Sequence, residues 1–191
     1  MKRDLVSIFC QLFLTRWMLI QLGVFSLIFK IYFPGLAFGS EYLIEDVESI
    51  FISKLSEYIN WSTFYGSDFN IIVLGQSKLT KSLQKISENK KILGKKVSVR
   101  TVLDHEKINN CNILIIPENK VENLGSILQQ VEGHHILTVS RSEGYAEKGV
   151  MVNFYEESGK LRFEINLKAA KAEGFQVSSQ LLKLARIVGS E

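Results

Sequence analysis

The sequence predicts an α/β fold: a single domain in three layers, with a mostly parallel sheet between helices. Three observations carry that expectation. The short, mostly apolar runs Phe69–Leu74, Ile113–Ile116 and Ile136–Val139, interrupted only by Asn70 and Thr138, have the character of strands buried on both faces. Between them lie segments whose apolar residues recur at helical spacing. The connections are short, and strands that alternate with helices in this way form parallel sheets through right-handed crossovers.

The first helix is predicted over residues 43–59. There Leu43, Val47, Ile50, Phe51, Leu55, Tyr58 and Ile59 form an apolar face, and Glu45, Asp46, Glu48, Lys54 and Glu57 stand between them. Gly66-Ser67-Asp68 leads into the strand Phe69–Leu74. Gly75 then turns the chain into a helix over 77–88, striped by Leu79, Leu83 and Ile86. Val97, Val99 and Thr101 alternate with polar residues, as in an edge strand. A second unit repeats the scheme: the strand Ile113–Ile116 stopped by Pro117, a helix over 121–131 with Val121, Leu124, Leu128 and Val131 inward, and the strand Ile136–Val139. Val150–Tyr155 and Leu161–Ile165 flank Glu156-Glu157-Ser158-Gly159-Lys160 as a β-hairpin. Two C-terminal helices are expected to follow, one near 168–173 stopped by Gly174 and one from Ser178 or Ser179. The second would bury Leu181, Leu182, Leu184, Ala185 and Val188. The whole reads as a Rossmann-like domain.

Composition narrows the class. With 46% hydrophobic and 23% charged residues in 191, the chain is neither disordered nor collagen-like nor a polytopic membrane protein. Its net charge of +3 sits at one end. Residues 1–39 hold Lys2, Arg3, Arg16 and Lys30 against Asp4 alone, so the remainder balances at 19 basic and 19 acidic groups. A neutral body argues against nucleic acid as a partner, because phosphate binding needs an excess of Lys and Arg.

Residues 1–39 read as a secretory signal with cleavage before Ser40. Trp17–Phe29 (WMLIQLGVFSLIF) is an apolar core of 13 residues, and Ala37 and Gly39 supply the small residues a signal peptidase needs. That core is shorter than the ~20 residues that span a bilayer. An uncleaved anchor over 17–38, with Lys30 snorkelling, is the lesser alternative. Cys10 follows Ser7-Ile8-Phe9 rather than a lipobox. Residues 40–191 then form the exported α/β domain. Only Cys111 remains in it, so no internal disulfide forms, and its place before an apolar run marks it as a buried small hydrophobe.

Sites of chemistry are scarce. Gly75-Gln76-Ser77-Lys78 lacks the further glycines of a dinucleotide loop, and Gly94-Lys95-Lys96 precedes a strand where a phosphate-binding loop requires a helix. His134 and His135 have no ligand partners at metal-binding spacing. Ser142-Glu143-Gly144 lacks the glycines of a nucleophile elbow. No catalytic residue, cofactor or metal is assigned. One cluster stands out: Lys78, Lys81, Lys85, Lys90, Lys91, Lys95, Lys96 and Arg100 face Glu88 alone. Lys78, Lys81 and Lys85 share one helix face opposite the apolar stripe. That face serves solubility first, and an acidic partner surface or anionic headgroups second.

Several strings resemble one family. They are Phe51-Ile52 with Lys54-Leu55 and Tyr58-Ile59-Asn60-Trp61, the strand and turn Phe69–Gly75, Cys111–Ile116, and Thr138-Val139-Ser140 with Gly144-Tyr145-Ala146 and Gly149. The most specific is Leu161–Leu167, followed by Ala169-Ala170, Gly174 and Ser178–Ala185. Together they are similar to the YfiR-like family of exported bacterial proteins, over about residues 43–188. Val150 departs from the pattern where a second glycine is common, and the single mature cysteine precludes the disulfides of some members.

The resemblance implies a periplasmic regulator that restrains a membrane-bound diguanylate cyclase by binding its periplasmic portion. It implies a homodimer, an outer-membrane lipoprotein as a second partner, and kinship with modules coupled to sensor histidine kinases. It implies structural roles for Trp61, Gly149, Phe163, Asn166, Ser178 and Ser179, with Asn166 and Ser178 as helix caps. The partner surface expected from the residues themselves is the outer part of the first helix, where Phe51 and Ile52 widen the apolar face, with Lys78, Lys81 and Lys85 on the second; for Ile52 core packing is the favoured alternative. A second reading, a small-ligand sensor, would use the crevice at the strand ends near Gly75 and Pro117.

Overall fold

The computed structural model describes residues 44–61, 66–103, 108–118 and 123–189. The expected signal segment and its cleavage site lie outside them. Ten strands and five helices occur among the described residues. Helix α1 (Ile44–Tyr58) runs into a two-residue strand β1 (Ile59–Asn60). Strand β2 (Phe69–Leu74), helix α2 (Leu79–Asn89), strands β3 (Lys91–Ile92) and β4 (Lys95–Val102), strand β5 (Ile113–Ile116) and helix α3 (Leu124–Val131) follow. Strands β6 (Leu137–Ser140), β7 (Val152–Glu157) and β8 (Lys160–Asn166) complete the centre. The chain closes with helix α4 (Leu167–Ala172), strand β9 (Gln176–Val177), the one-turn helix α5 (Ser179–Leu182) and strand β10 (Arg186–Val188).

Eight strands form one sheet in the order β10-β8-β7-β6-β5-β2-β4-β3. Strands β4, β2, β5, β6 and β7 run parallel. The β7–β8 pair is antiparallel, and β10 adds parallel to β8. The chain steps from β2 outward to β4 and then returns across β2 to β5, so the strand order reverses between β2 and β5.

Alternation along the strands divides the core. Ile71, Val73, Ile113, Ile115, Leu137 and Val139 join Ile52 and Leu55 of α1 and Leu79 and Leu83 of α2 in one cluster. Ile72, Leu74, Leu114 and Ile116 join Leu124, Ile127 and Val131 of α3 in the other. Successive residues of a strand point to opposite faces, so α1 and α2 cover one face of the sheet and α3 the other.

Two segments depart from the sequence reading. Val97, Val99 and Thr101 belong to β4, but β4 is not the edge. Lys91–Ile92 folds back on it antiparallel, through a turn at Leu93 and Gly94 with φ of 50° and 78°. The second departure is the final helix, which stops after one turn. Ser178 caps it, its hydroxyl accepting from the Leu181 N–H at 3.3 Å, but residues 186–188 become a strand. Leu181 is buried, whereas Leu184 is 70% exposed. The cause lies across the sheet. Glu164 of β8 is buried, with Oε1 accepting from Asn153 Nδ2 at 2.9 Å and Oε2 from Arg186 Nε at 2.9 Å. A buried carboxylate without a counter-charge is strongly unfavourable, so Arg186 is held beside it and the β-branched Ile187-Val188 continue as strand.

Candidate functional site

The reversal of strand order leaves a crevice at the carboxyl ends of β2 and β5, of about 420 Å³. In open α/β sheets this is where ligands bind, because the helices on either side of the reversal diverge to opposite faces. Gly75 shapes one wall. Its φ is 67° and its N–H donates to the Val102 carbonyl at 2.8 Å, a left-handed turn that glycine adopts without strain. The turn delivers Gln76, Ser77 and Lys78 to the rim at the start of α2. Pro117 and Glu118 after β5 form the second wall, and Arg141 directly after β6 the third. Helix α1 lies over the opening and contributes Glu45 and Glu48, one helical turn apart.

Glu48 is the unusual group. Its side chain is only 5% exposed, it makes no hydrogen bond among the described residues, and its nearest cation, Arg141 Nη1, is 3.9 Å from Oε2. That distance is too long for a hydrogen bond. Arg141 is shared, its Nη2 standing 4.0 Å from Glu156. Burial pushes the Glu48 carboxyl up to about 7; Arg141 opposes the shift, and Glu45 and Glu118 add to it. Leu79, Ile115, Ile116 and Pro117 give the same crevice an apolar side.

A second concavity, of about 380 Å³, runs along the outer side of α1 against α5. Val47, Ile50, Lys54, Tyr58, Gln180 and Leu184 line it. Val47, Ile50 and Tyr58 are 40%, 44% and 38% exposed. They share a stripe with Lys54 that lies about 120° around the helix from Ile52 and Leu55.

The residues singled out by sequence fall into separate places. Ile52 is fully buried in the core and cannot meet a partner. Phe51 is half-buried against Phe154 and Phe163, at ring distances of 5.5 and 4.7 Å. Ile52 thus takes the core-packing alternative, Phe51 also lines the groove along α1, and Val47, Ile50 and Tyr58 are the exposed apolar positions of this helix. Lys78, directly before α2, and Lys81 and Lys85 on it are exposed, and of the three Lys78 lines the crevice. Trp61 donates its indole N–H to the Ser56 carbonyl at 3.1 Å and packs edge-on against Phe69 and Phe175. Phe163 is in the core. The Asn166 side chain accepts from the Ala169 N–H at 2.8 Å and donates to the Ala146 carbonyl at 2.7 Å, joining α4 to the loop before β7. Gly149 has a φ of 111° and lies close to Leu128. Ser179 is the exposed first residue of α5. Cys111 is buried, with its thiol pushed up to about 12 by burial. His135 bonds the Glu173 backbone carbonyl at 2.7 Å, and His134 is exposed. Among the described residues no group of three or more His, Cys, Asp or Glu is placed to hold a metal ion, and no helix is long and apolar enough to cross a membrane.

Compared with known proteins, residues 45–186 match the model of one family, described as YfiR/HmsC-like. The chain belongs to the YfiR/HmsC-like family. The match takes in α1 through Arg186, and hence both concavities. No curated protein matches the chain. Among solved structures, the ABC domain in complex with L-Trp from Streptococcus pneumonia is similar over 75% of this chain, with a TM-score of 0.55 and 10% identity. The chain spans about 60% of that structure's length. At that identity the likeness is one of fold alone.

Proposed function

We propose that this YfiR/HmsC-like chain is an exported, periplasmic regulatory binding protein that restrains a membrane-bound signalling protein, a diguanylate cyclase, by contact. The family match over residues 45–186 supports the class of activity. The exposed stripe Val47, Ile50 and Tyr58 beside Leu184 carries the surface, since an apolar patch rimmed by polar residues such as Lys54 and Gln180 is the usual mark of a protein contact. A homodimer and an outer-membrane lipoprotein belong to the same reading as further partners, and residues 1–39 as a cleaved signal.

The test is capture of the partner. The tagged chain, cross-linked in intact cells, is expected to recover a membrane protein with a cyclase domain, and deletion of the chain to raise cyclic di-GMP. Ile50→Asp is expected to reduce recovery by more than about tenfold with the fold retained. Recovery of no membrane signalling protein, or undiminished recovery with Ile50→Asp, overturns the reading or its surface respectively.

A second reading is a small-ligand sensor, coupled to a cyclase or a sensor histidine kinase. The crevice at the strand reversal, with the buried Glu48 on its wall, favours it.

A further inference from the structure

The consecutive residues Lys90-Lys91-Ile92-Leu93-Gly94-Lys95-Lys96 break three local rules at once. Strands β3 and β4 pair antiparallel with Ile92 opposite Lys95, so Leu93 and Gly94 form a two-residue hairpin loop. Both have positive φ, 50° and 78°, the pattern of a type I′ turn, whose first position ordinarily holds Asn, Asp or Gly. A leucine there carries backbone strain. Its side chain is 46% exposed, the one exposed large apolar residue among the described residues of α2, β3 and β4. Second, Lys91 stands directly opposite Lys96. Residues opposite one another in a ladder point to the same face, and like charges so placed destabilise the pair. Third, Lys85, Lys90, Lys91 and Lys96 are exposed, and none forms an ion pair among the described residues. Lys90, Lys91 and Lys96 share a recess of about 580 Å³ with Glu88. Lys95 serves the fold, donating to the Gly66 carbonyl at 3.1 Å.

Lysines on an edge strand also discourage a further strand from pairing, and that role accounts for their charge. It does not account for an exposed leucine held in a left-handed turn between them. A strained apolar apex flanked by cations suits a surface that is anionic outside and apolar beneath. Lysine fits such a boundary, since its stem lies along hydrocarbon while its ammonium stays at headgroup level. A protein partner is met by a patch of several apolar side chains, as along α1, rather than by one residue at a turn.

We propose that the β3–β4 hairpin docks on an anionic phospholipid surface, with Leu93 entering the boundary between headgroups and acyl chains and Lys90, Lys91 and Lys96 meeting phosphates. The Lys91–Lys96 pair gains from the lipid the counter-charge that the protein does not supply. Lys85 on α2 adds to the longer-range attraction. The turn precedes β4 and so lies at the amino end of that strand, whereas the crevice opens at the carboxyl ends of its parallel neighbours. The contact does not depend on which membrane protein the chain regulates.

The test is co-sedimentation of the full chain, as a bacterium processes it, with phosphatidylcholine vesicles that contain or lack about 30% phosphatidylglycerol, at low and high salt. Affinity at least about tenfold higher for the anionic vesicles, and lost at high salt, is expected. Lys91→Glu combined with Lys96→Glu is expected to lower that affinity at least about tenfold. Leu93→Asn is expected to lower it about threefold or more. Asn is the residue this turn prefers, so Leu93→Asn should melt no lower than the parent, which separates lipid contact from folding. Residues 1–39 are common to the parent and both variants and cancel in the comparison. Equal binding of parent and both variants overturns the site. Equal binding to the two vesicle types overturns the headgroup chemistry. Full competition by polyglutamate, with no effect of Leu93→Asn, overturns the membrane in favour of an acidic protein surface. Capture of the cyclase, read in a separate assay, stands or falls without any of these.

Discussion

The crevice at the strand ends and the groove along α1 are nearly equal in volume and opposite in lining. One holds four charged side chains around the buried carboxylate of Glu48. The other is a band of Val47, Ile50, Tyr58 and Leu184 with Lys54 and Gln180 at its rim. Helix α1 contributes to both, through Glu45 and Glu48 near its start and through a different stripe further along. The contrast teaches that one amphipathic helix can present three faces: a core face, a face toward a charged cleft, and an apolar face left to solvent. A charged cleft of this size selects by electrostatic complement, whereas an open apolar band selects by shape over a larger area.

The sharpest way to separate the faces is to truncate neighbours on the helix. Ile52→Ala is expected to cost about 2–5 kcal/mol, because it opens a cavity in a packed core. Ile50→Ala should stay within about 0.5 kcal/mol of the parent, as exposed substitutions do. Urea denaturation of both variants checks this; similar losses in the two would mean that the groove face is buried in the folded protein.

Glu48 gives the next largest effect, and its sign follows from linkage. A carboxyl raised from 4.5 to about 7 is protonated in the folded state and ionised in the unfolded state between those values. The contribution of Glu48 to stability is therefore highest below about pH 4.5, declines as pH rises to about 7, and is then level, the whole loss being at most about 3 kcal/mol. Glu48→Gln should remove the decline, stabilising the protein at pH 8 and leaving it little changed at pH 5. Melting curves across that range report it, and a parent whose melting temperature is flat from pH 5 to 8 contradicts the buried-carboxylate account. Arg141→Met should act in the opposite sense, steepening the decline, since it removes the one nearby cation that lowers the Glu48 carboxyl.

Smaller still is the cap of α5. Ser178→Ala is expected to cost about 1 kcal/mol, which a shift in denaturation midpoint measures. No effect would place the ordering of α5 with the β1–β9 pairing instead.

The parts legible in the sequence were those whose burial is symmetrical. Ile113–Ile116 is apolar throughout and Phe69–Leu74 is so but for Asn70, because both faces of those strands are covered, and runs of that kind have few other readings. The C-terminal segment misled because Leu181, Leu184, Ala185 and Val188 fit helical spacing as well as any buried face. What decides it is Glu164, which precedes Arg186 by 22 residues and whose need for a counter-charge is invisible to periodicity. The crevice was legible as a location, from Gly75 and Pro117 at strand ends, but not as chemistry. Glu48 looks like any solvated acid on an amphipathic helix until β6 brings Arg141 beside it. Phe51 and Ile52 widen the apolar face in sequence, whereas Val47, Ile50, Lys54 and Tyr58 trace a second stripe about a third of a turn around the helix, which hydrophobic spacing alone merges with the core face.

The tie between Glu164 and Arg186 also sets an order of events. Until the last strand docks, the carboxylate at the heart of the β7–β8 hairpin keeps its hydration, and the edge of the sheet that β10 will occupy stays open to any other extended chain. Docking of three residues thus closes a template for misassembly and dehydrates a charge in one step, so a lesion as small as Arg186→Ala should bring clumping during expression along with a lower melting point.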